Sequence, residues 1–88
     1  MHNDELLRLR NLGKTSTQWL HATGIHNLEE LRRRGPVGCY CAVRARGFRA
    51  SKALLFAIAG ALQDVHWNQL DPAYKAQLLD QLRKEEKP

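Results

Sequence analysis

Apolar positions along this chain recur mostly at helical spacing, and turn residues divide them into short segments. Leucines at 6, 7 and 9 predict a short first helix over 4–9. A turn follows at Asn11–Lys14. Thr15 and Gln18 have capping-box spacing, so the next helix is expected to start there and run to about Thr23. Gly24 is a natural left-handed stop, and Ile25 is placed to fold back onto Leu20. Asn27 and Glu30 repeat the capping logic for another short helix with Leu28 and Leu31 facing inward. Gly35-Pro36 ends it.

The stretch from Val37 to Arg46 is ambiguous. Val37, Tyr40 and Cys41 fit a helical face, whereas Cys39, Cys41 and Val43 fit strand alternation. Helix is the choice, because an isolated strand has no partner to pair with. Gly47 breaks the chain, and Ser51 caps the strongest helix, which runs through Gln63. That helix is apolar nearly all round and is expected at the centre of the domain. Ala53, Ala57 and Ala61 form a low ridge; Leu54, Ile58 and Leu62 form a tall one. Asp71-Pro72 opens the last helix, with Tyr74, Leu78 and Leu82 on one face and Leu79 beside them. The charged end, 83–88, is expected to fray. The expectation is therefore an all-α fold: one small domain over 1–88, of about five short helices, with its core at about 5–82.

Length and charge narrow the function. Eighty-eight residues leave no room for a second core. The formal charge is +5. Between Leu31 and Gln63 there is no Asp or Glu, while Arg32, Arg33, Arg34, Arg44, Arg46, Arg49 and Lys52 all fall there. A field of one sign steers polyanions; the same residues also serve simply as a solvated surface. Both readings stand at this point. Cys39 and Cys41 are spaced badly for a disulfide with each other and read as buried or half-buried thiols of a reducing compartment. Asp4 and Glu5 interrupt any N-terminal apolar run, and the run Ala53–Leu62 is about half the ~20 residues a membrane span needs. A cytoplasmic protein with no membrane contact is the expectation.

The candidate chemistry is sparse. Gly13-Lys14 opens a helix, where bare amides and the positive dipole end attract anions; the plain alternative is a turn with an exposed lysine. Arg32, Arg33 and Arg34 complement a helix C-terminus. Consecutive helical residues point about 100° apart, so only Arg33 or Arg34 is expected to join Arg44, Arg46, Arg49 and Lys52 on a basic face. Trp19 and Trp67 have apolar neighbours and are expected in the core, not as stacking platforms, because the aromatics are not interleaved with basic residues. His21, His26 and His66 lack metal-site spacing, so no cofactor is expected; His66 is placed to pin the turn before Asn68. A Cys with a His is the one nucleophile–base pairing on offer, without an oxyanion loop or a deep pocket. The expectation is that the chain is not an enzyme.

Two resemblances follow from these residues. The stretch Glu5-Leu6-Leu7-Arg8-Leu9-Arg10-Asn11-Leu12-Gly13-Lys14-Thr15-Ser16-Thr17-Gln18-Trp19-Leu20 resembles a helix-hairpin-helix motif, whose hairpin amides hold a DNA phosphate. That resemblance makes Gly13 and Lys14 the phosphate-facing positions. The first hairpin glycine of the usual pattern is Asn11 here. Asn tolerates positive φ, but its side chain is expected to crowd a phosphate.

Over nearly the whole chain, Asn11-Leu12-Gly13-Lys14, Trp19-Leu20, Gly24-Ile25, Glu29-Glu30-Leu31, Gly35, Tyr40, Leu54-Leu55, Gly60-Ala61-Leu62, His66-Trp67 and Leu78-Leu79 are similar in order and spacing to the C-terminal domain of the TfoX/Sxy competence regulators. The resemblance implies a helix-hairpin-helix or SAM-like fold. It also implies a bacterial regulatory role in transcription and DNA uptake, through DNA or a DNA-bound regulator. Any DNA contact is expected to be to the backbone and poor in sequence information. The alternative is a SAM-like protein-interaction module that meets an acidic partner. Such regulators usually carry a separate N-terminal domain, so the resemblance carries over the fold and a binding role, not a whole regulator's activity.

Overall fold

The computed structural model describes residues 5–86. Asp4, at the start of the expected first helix, lies outside the described residues, as do Lys87 and Pro88 of the expected fraying end. The described residues form four α-helices and no strand: α1 (Lys14–Ala22), α2 (Leu28–Ala45), α3 (Lys52–Gln63) and α4 (Pro72–Glu86). Two 3-10 turns, Leu6–Arg8 and Trp67–Gln69, complete the architecture. The all-α expectation is met. The first expected helix is only a 3-10 turn, and α4 stays helical to Glu86 instead of ending at 82.

The turns follow local chemistry closely. At the end of α1 Gly24 takes φ +88. The Gly24 N–H donates to the His21 carbonyl (3.0 Å) and the Ile25 N–H to the Leu20 carbonyl (2.9 Å), which completes a Schellman motif. Ile25 and Leu20 are both fully buried. The same motif closes α3, with Asp64 left-handed at φ 56 and the Val65 N–H donating to the Gly60 carbonyl at 2.9 Å.

Helix α2 is two rods in one. Gly35 breaks it at φ 75, ψ 167, a conformation glycine adopts without a Cβ penalty. Pro36 then sits at the first position of the second rod, where its missing N–H costs nothing. The two expected helices on either side of Gly35-Pro36 therefore abut without a loop, and this merger, with the 3-10 turn in place of the first helix, leaves four α-helices where about five were expected. The Cys39 thiol donates to the Leu31 carbonyl across the break (3.6 Å).

Helix α3 is the centre, as its all-round apolarity predicts. Leu54, Leu55, Ile58, Ala59 and Ala61 are buried, and α3 packs chiefly against α2, which also packs against α4. The low ridge is buried at Ala57 and Ala61, but Ala53 is exposed. Among the glycines, the closest approach is at Gly60. A Cβ there would lie 2.5 Å from Asn11 Nδ2, 2.8 Å from the Val65 carbonyl oxygen and 3.2 Å from Trp67 Cα. On α4, Leu78 and Leu82 are buried and Tyr74 and Leu79 half-buried, as the face predicts. No described helix is long and apolar enough to cross a membrane.

Candidate functional site

The hairpin before α1 is built from the inside out. Asn11 sits at φ 72, so it takes the hairpin conformation that glycine takes in the helix-hairpin-helix pattern. Its side chain does not crowd the outer surface. Nδ2 donates to the Val65 carbonyl (2.9 Å) and the Ala57 carbonyl (3.4 Å), and Oδ1 accepts from the Trp67 N–H (3.1 Å). Val65 and Trp67 lie just beyond the end of α3, at the second 3-10 turn, and Ala57 lies inside α3. Arg10 adds an exposed ion pair to Asp64 at 3.1 Å. The hairpin is thereby sewn to α3.

Its outer half is open. Gly13, not Thr15, is the N-cap of α1, and no side chain caps it. The capping box expected at Thr15 and Gln18 fails because the N-cap lies two residues earlier, at Gly13, which has no side chain to offer. The first turn holds no acid. Gly13, Lys14 and Thr15 are exposed, and the first bond closing the helix is Thr17 N–H to the Gly13 carbonyl at 3.0 Å. Helix α3 starts the same way: Ser51 is its N-cap, its hydroxyl makes no capping bond, and the first turn is acid-free. Both starts open onto one groove of about 380 Å³. Thr15 and Ser16 line it from α1, Ser51 and Ala53 from α3, and Arg49 from the loop between α2 and α3.

The expected basic face is only partly assembled. Of the expected basic residues Arg49 lines this groove, opposite Thr15 and Ser16; Gly13 and Lys14 immediately precede that stretch of α1. Arg44 is exposed but tied to the fold: Nη1 donates to the Ala50 carbonyl (3.0 Å), and the guanidinium carbon lies 5.9 Å from the centre of the Tyr40 ring. It holds the 46–51 loop alongside the Tyr40 hydroxyl, which donates to the same carbonyl at 3.2 Å. Arg33 pairs with Glu29 at 3.0 Å. Arg34 lies at the α2 break beside Glu85, and Lys52 lies in a shallow cleft with Glu86. Arg46, the C-cap of α2, is exposed.

Trp19 packs against the core as expected, whereas Trp67 departs from the expectation. Trp19 is half-buried, stacked on Phe48 with centroids 5.5 Å apart. Trp67 is 40% exposed. Both line the same groove as Arg49, so tertiary structure interleaves aromatic and cationic groups that the chain order separates. Trp67 escapes the core because it sits in a 3-10 turn whose backbone, not its indole, is tied to Asn11. Near it, the His66 ring nitrogen Nδ1 lies 3.3 Å from the Asn68 N–H and 2.7 Å from Asn68 Oδ1. His66 thus pins this turn.

The thiols are poor nucleophiles. Burial pushes Cys39 up to about 12, with the Arg34 guanidinium pulling the other way. Burial, then Glu85 and Glu86, raise Cys41. Both thiols stay protonated at neutral pH. The His21 and His26 rings lie 5.0 Å apart, and no three His, Cys, Asp or Glu side chains among the described residues are grouped to hold a metal.

A model of the TfoX C-terminal domain matches residues 2–82. No curated protein matches the chain. Among solved structures, the chain is similar to an uncharacterized protein from Listeria monocytogenes in a triclinic crystal form. The two are 30% identical with TM-score 0.84, and 92% of each chain is covered. It is also similar to a protein of unknown function from Listeria monocytogenes in a tetragonal form. There the identity is 28% and the TM-score 0.83, over 93% of this chain and all of that one.

Proposed function

The chain belongs to the TfoX C-terminal domain family, and from that premise we propose that it is a non-enzymatic regulatory binding domain that holds nucleic-acid phosphates at the start of α1. One observation carries the reading: α1 begins without a side-chain cap and without an acid, at an exposed Gly13-Lys14. The first amides of a helix lack internal acceptors, and the dipole places partial positive charge there. A phosphate oxygen satisfies those amides, Lys14 neutralises its charge, and Arg49 across the groove faces the next phosphate. Contacts of this kind fix position on a strand and carry little sequence information. The role fits transcription and competence control, in the cytoplasm, through DNA or a DNA-bound regulator.

A second reading is a protein-interaction module for an acidic regulatory partner. Exposed Leu7 (47%) and Trp67 (40%) favour it, together with the internal engagement of Arg33 and Arg44.

Salt separates the two. Fluorescence anisotropy with labelled duplex DNA is expected to give binding whose log–log salt slope is about −0.9 per phosphate neutralised. Lys14→Glu is expected to weaken that binding several-fold while leaving the melting curve unchanged. No binding at low salt would hand the case to the acidic protein partner.

A further inference from the structure

The groove beside α1 is more than a rim for phosphate. It holds the only two tryptophans of the chain, Trp19 and Trp67. Leu54 and Ala57 supply apolar lining, Arg49 is its one charged lining residue, and among the described residues no carboxylate lines it. Its 380 Å³ lies at the small end of ligand-sized clefts, which run from ~300 to ~1,000 Å³. Thr15 and Ser16 belong both to the first turn of α1 and to the groove wall. A phosphate at that turn therefore delivers the nucleoside attached to it into the groove.

We propose that this groove takes an unpaired nucleotide, so that the domain prefers single-stranded or locally opened nucleic acid to intact duplex. The inference rests on the phosphate reading above and adds the state of the strand. A paired base is turned toward the duplex axis and reaches an outside pocket only at the cost of unstacking. An unpaired base meets indole and apolar surface while its phosphates meet Arg49 and the α1 amides. This pairing of an aromatic platform with a cationic track is the general means of sequence-tolerant single-strand binding. Charge complementarity selects a polyanionic strand as the occupant, since the groove offers cation, amide and hydroxyl groups and no acid. Lys75 does not line the groove; its Nζ lies 5.4 Å from the Trp67 ring centre and 5.6 Å from that of Phe56, which steadies the indole at the groove's edge.

Because both tryptophans line the groove, their own emission reports on it. The test titrates the full chain with a short oligothymidylate, with a duplex of the same length and with polyglutamate at equal ionic strength, following tryptophan fluorescence. The expected result is tighter binding and stronger quenching by oligothymidylate than by duplex. Trp67→Ala is expected to weaken the single-strand complex at least about fivefold and to leave duplex binding unchanged. Ala53→Phe, which fills the groove from an exposed position, is expected to do the same, with melting curves confirming that each variant is folded. Duplex binding as tight as single-strand binding, insensitive to both variants but weakened several-fold by Lys14→Glu, would overturn this inference and leave the phosphate reading standing. Binding of neither nucleic acid would overturn both. Equal quenching by polyglutamate, with the same response to Trp67→Ala, would overturn the inference in favour of an acidic protein partner.

Discussion

The starts of α2 and α1 present the same orphan amides to their surroundings and are treated in opposite ways. At α2, Asn27 Oδ1 accepts from the Glu30 N–H, Glu30 Oε1 reaches back to the His26 N–H, and Glu5 Oε2 accepts from the Leu28 N–H, each at 2.8 Å. Glu29 adds negative charge to the same turn. At α1 the cap is a glycine, no side chain turns back, and the neighbouring charge is Lys14. Helix α4 follows the first pattern, since Asp71 Oδ1 accepts from the Ala73 N–H at 2.9 Å. Helix α3 follows the second. The closed ends serve the fold. The open ends have neither a side-chain cap nor a first-turn acid, and both border one groove. What keeps α1 open is a firm base: the inner half of its hairpin is held by Asn11 and by the close approach at Gly60.

The sharpest way to break this contrast is to remove its base. Gly60→Ala places a Cβ against Asn11 Nδ2 and the Val65 carbonyl, both part of the hairpin anchor. Such overpacking is expected to cost about 3 kcal/mol, read as a lower urea midpoint. Asn11→Gly keeps the positive φ and removes the three anchoring bonds; a loss of about 2 kcal/mol is expected. Its companion Asn11→Ala adds backbone strain and falls further, by about 1 kcal/mol. Asn27→Ala opens the closed end of α2 and is expected to cost about 1 kcal/mol, with nucleic-acid binding unchanged. Gly13→Asp closes the open end of α1. The position has open space around it and an extended backbone, so the gain is expected to be only a few tenths of a kcal/mol. The two cap variants thus move stability in opposite directions, and only the second is expected to affect binding.

Much of the closed architecture was legible in the chain. Gly24 with Ile25, Asn27 with Glu30, and Asp71-Pro72 act within a few residues, so their side chains predict their own turns. The apolar sweep of α3 marks it as central for the same reason. The rest depends on distant partners. Glu5 caps a helix that starts 23 residues later, and Asn11 bonds a carbonyl 54 residues away. Gly60 reads as one small residue on a helix until the hairpin is laid across it. Arg44 reads as surface charge until the loop after α2 brings the Ala50 carbonyl beneath it. At the candidate site, Gly13-Lys14 was visible as an open helix start. The grouping of Arg49 with both tryptophans was not, because Trp19, on α1, and Trp67, in the second 3-10 turn, are distant in sequence and meet at one groove only in the folded chain.

The most direct test is duplex-DNA anisotropy at two ionic strengths for the native chain and for Gly13→Asp. If the α1 amides hold phosphate, the variant is at least as stable as the native chain yet binds at least tenfold more weakly, with a salt slope shallower by about 0.9 for each phosphate that is no longer neutralised. Unchanged affinity and slope in a folded Gly13→Asp variant would contradict the claim that this helix end is where the anion sits.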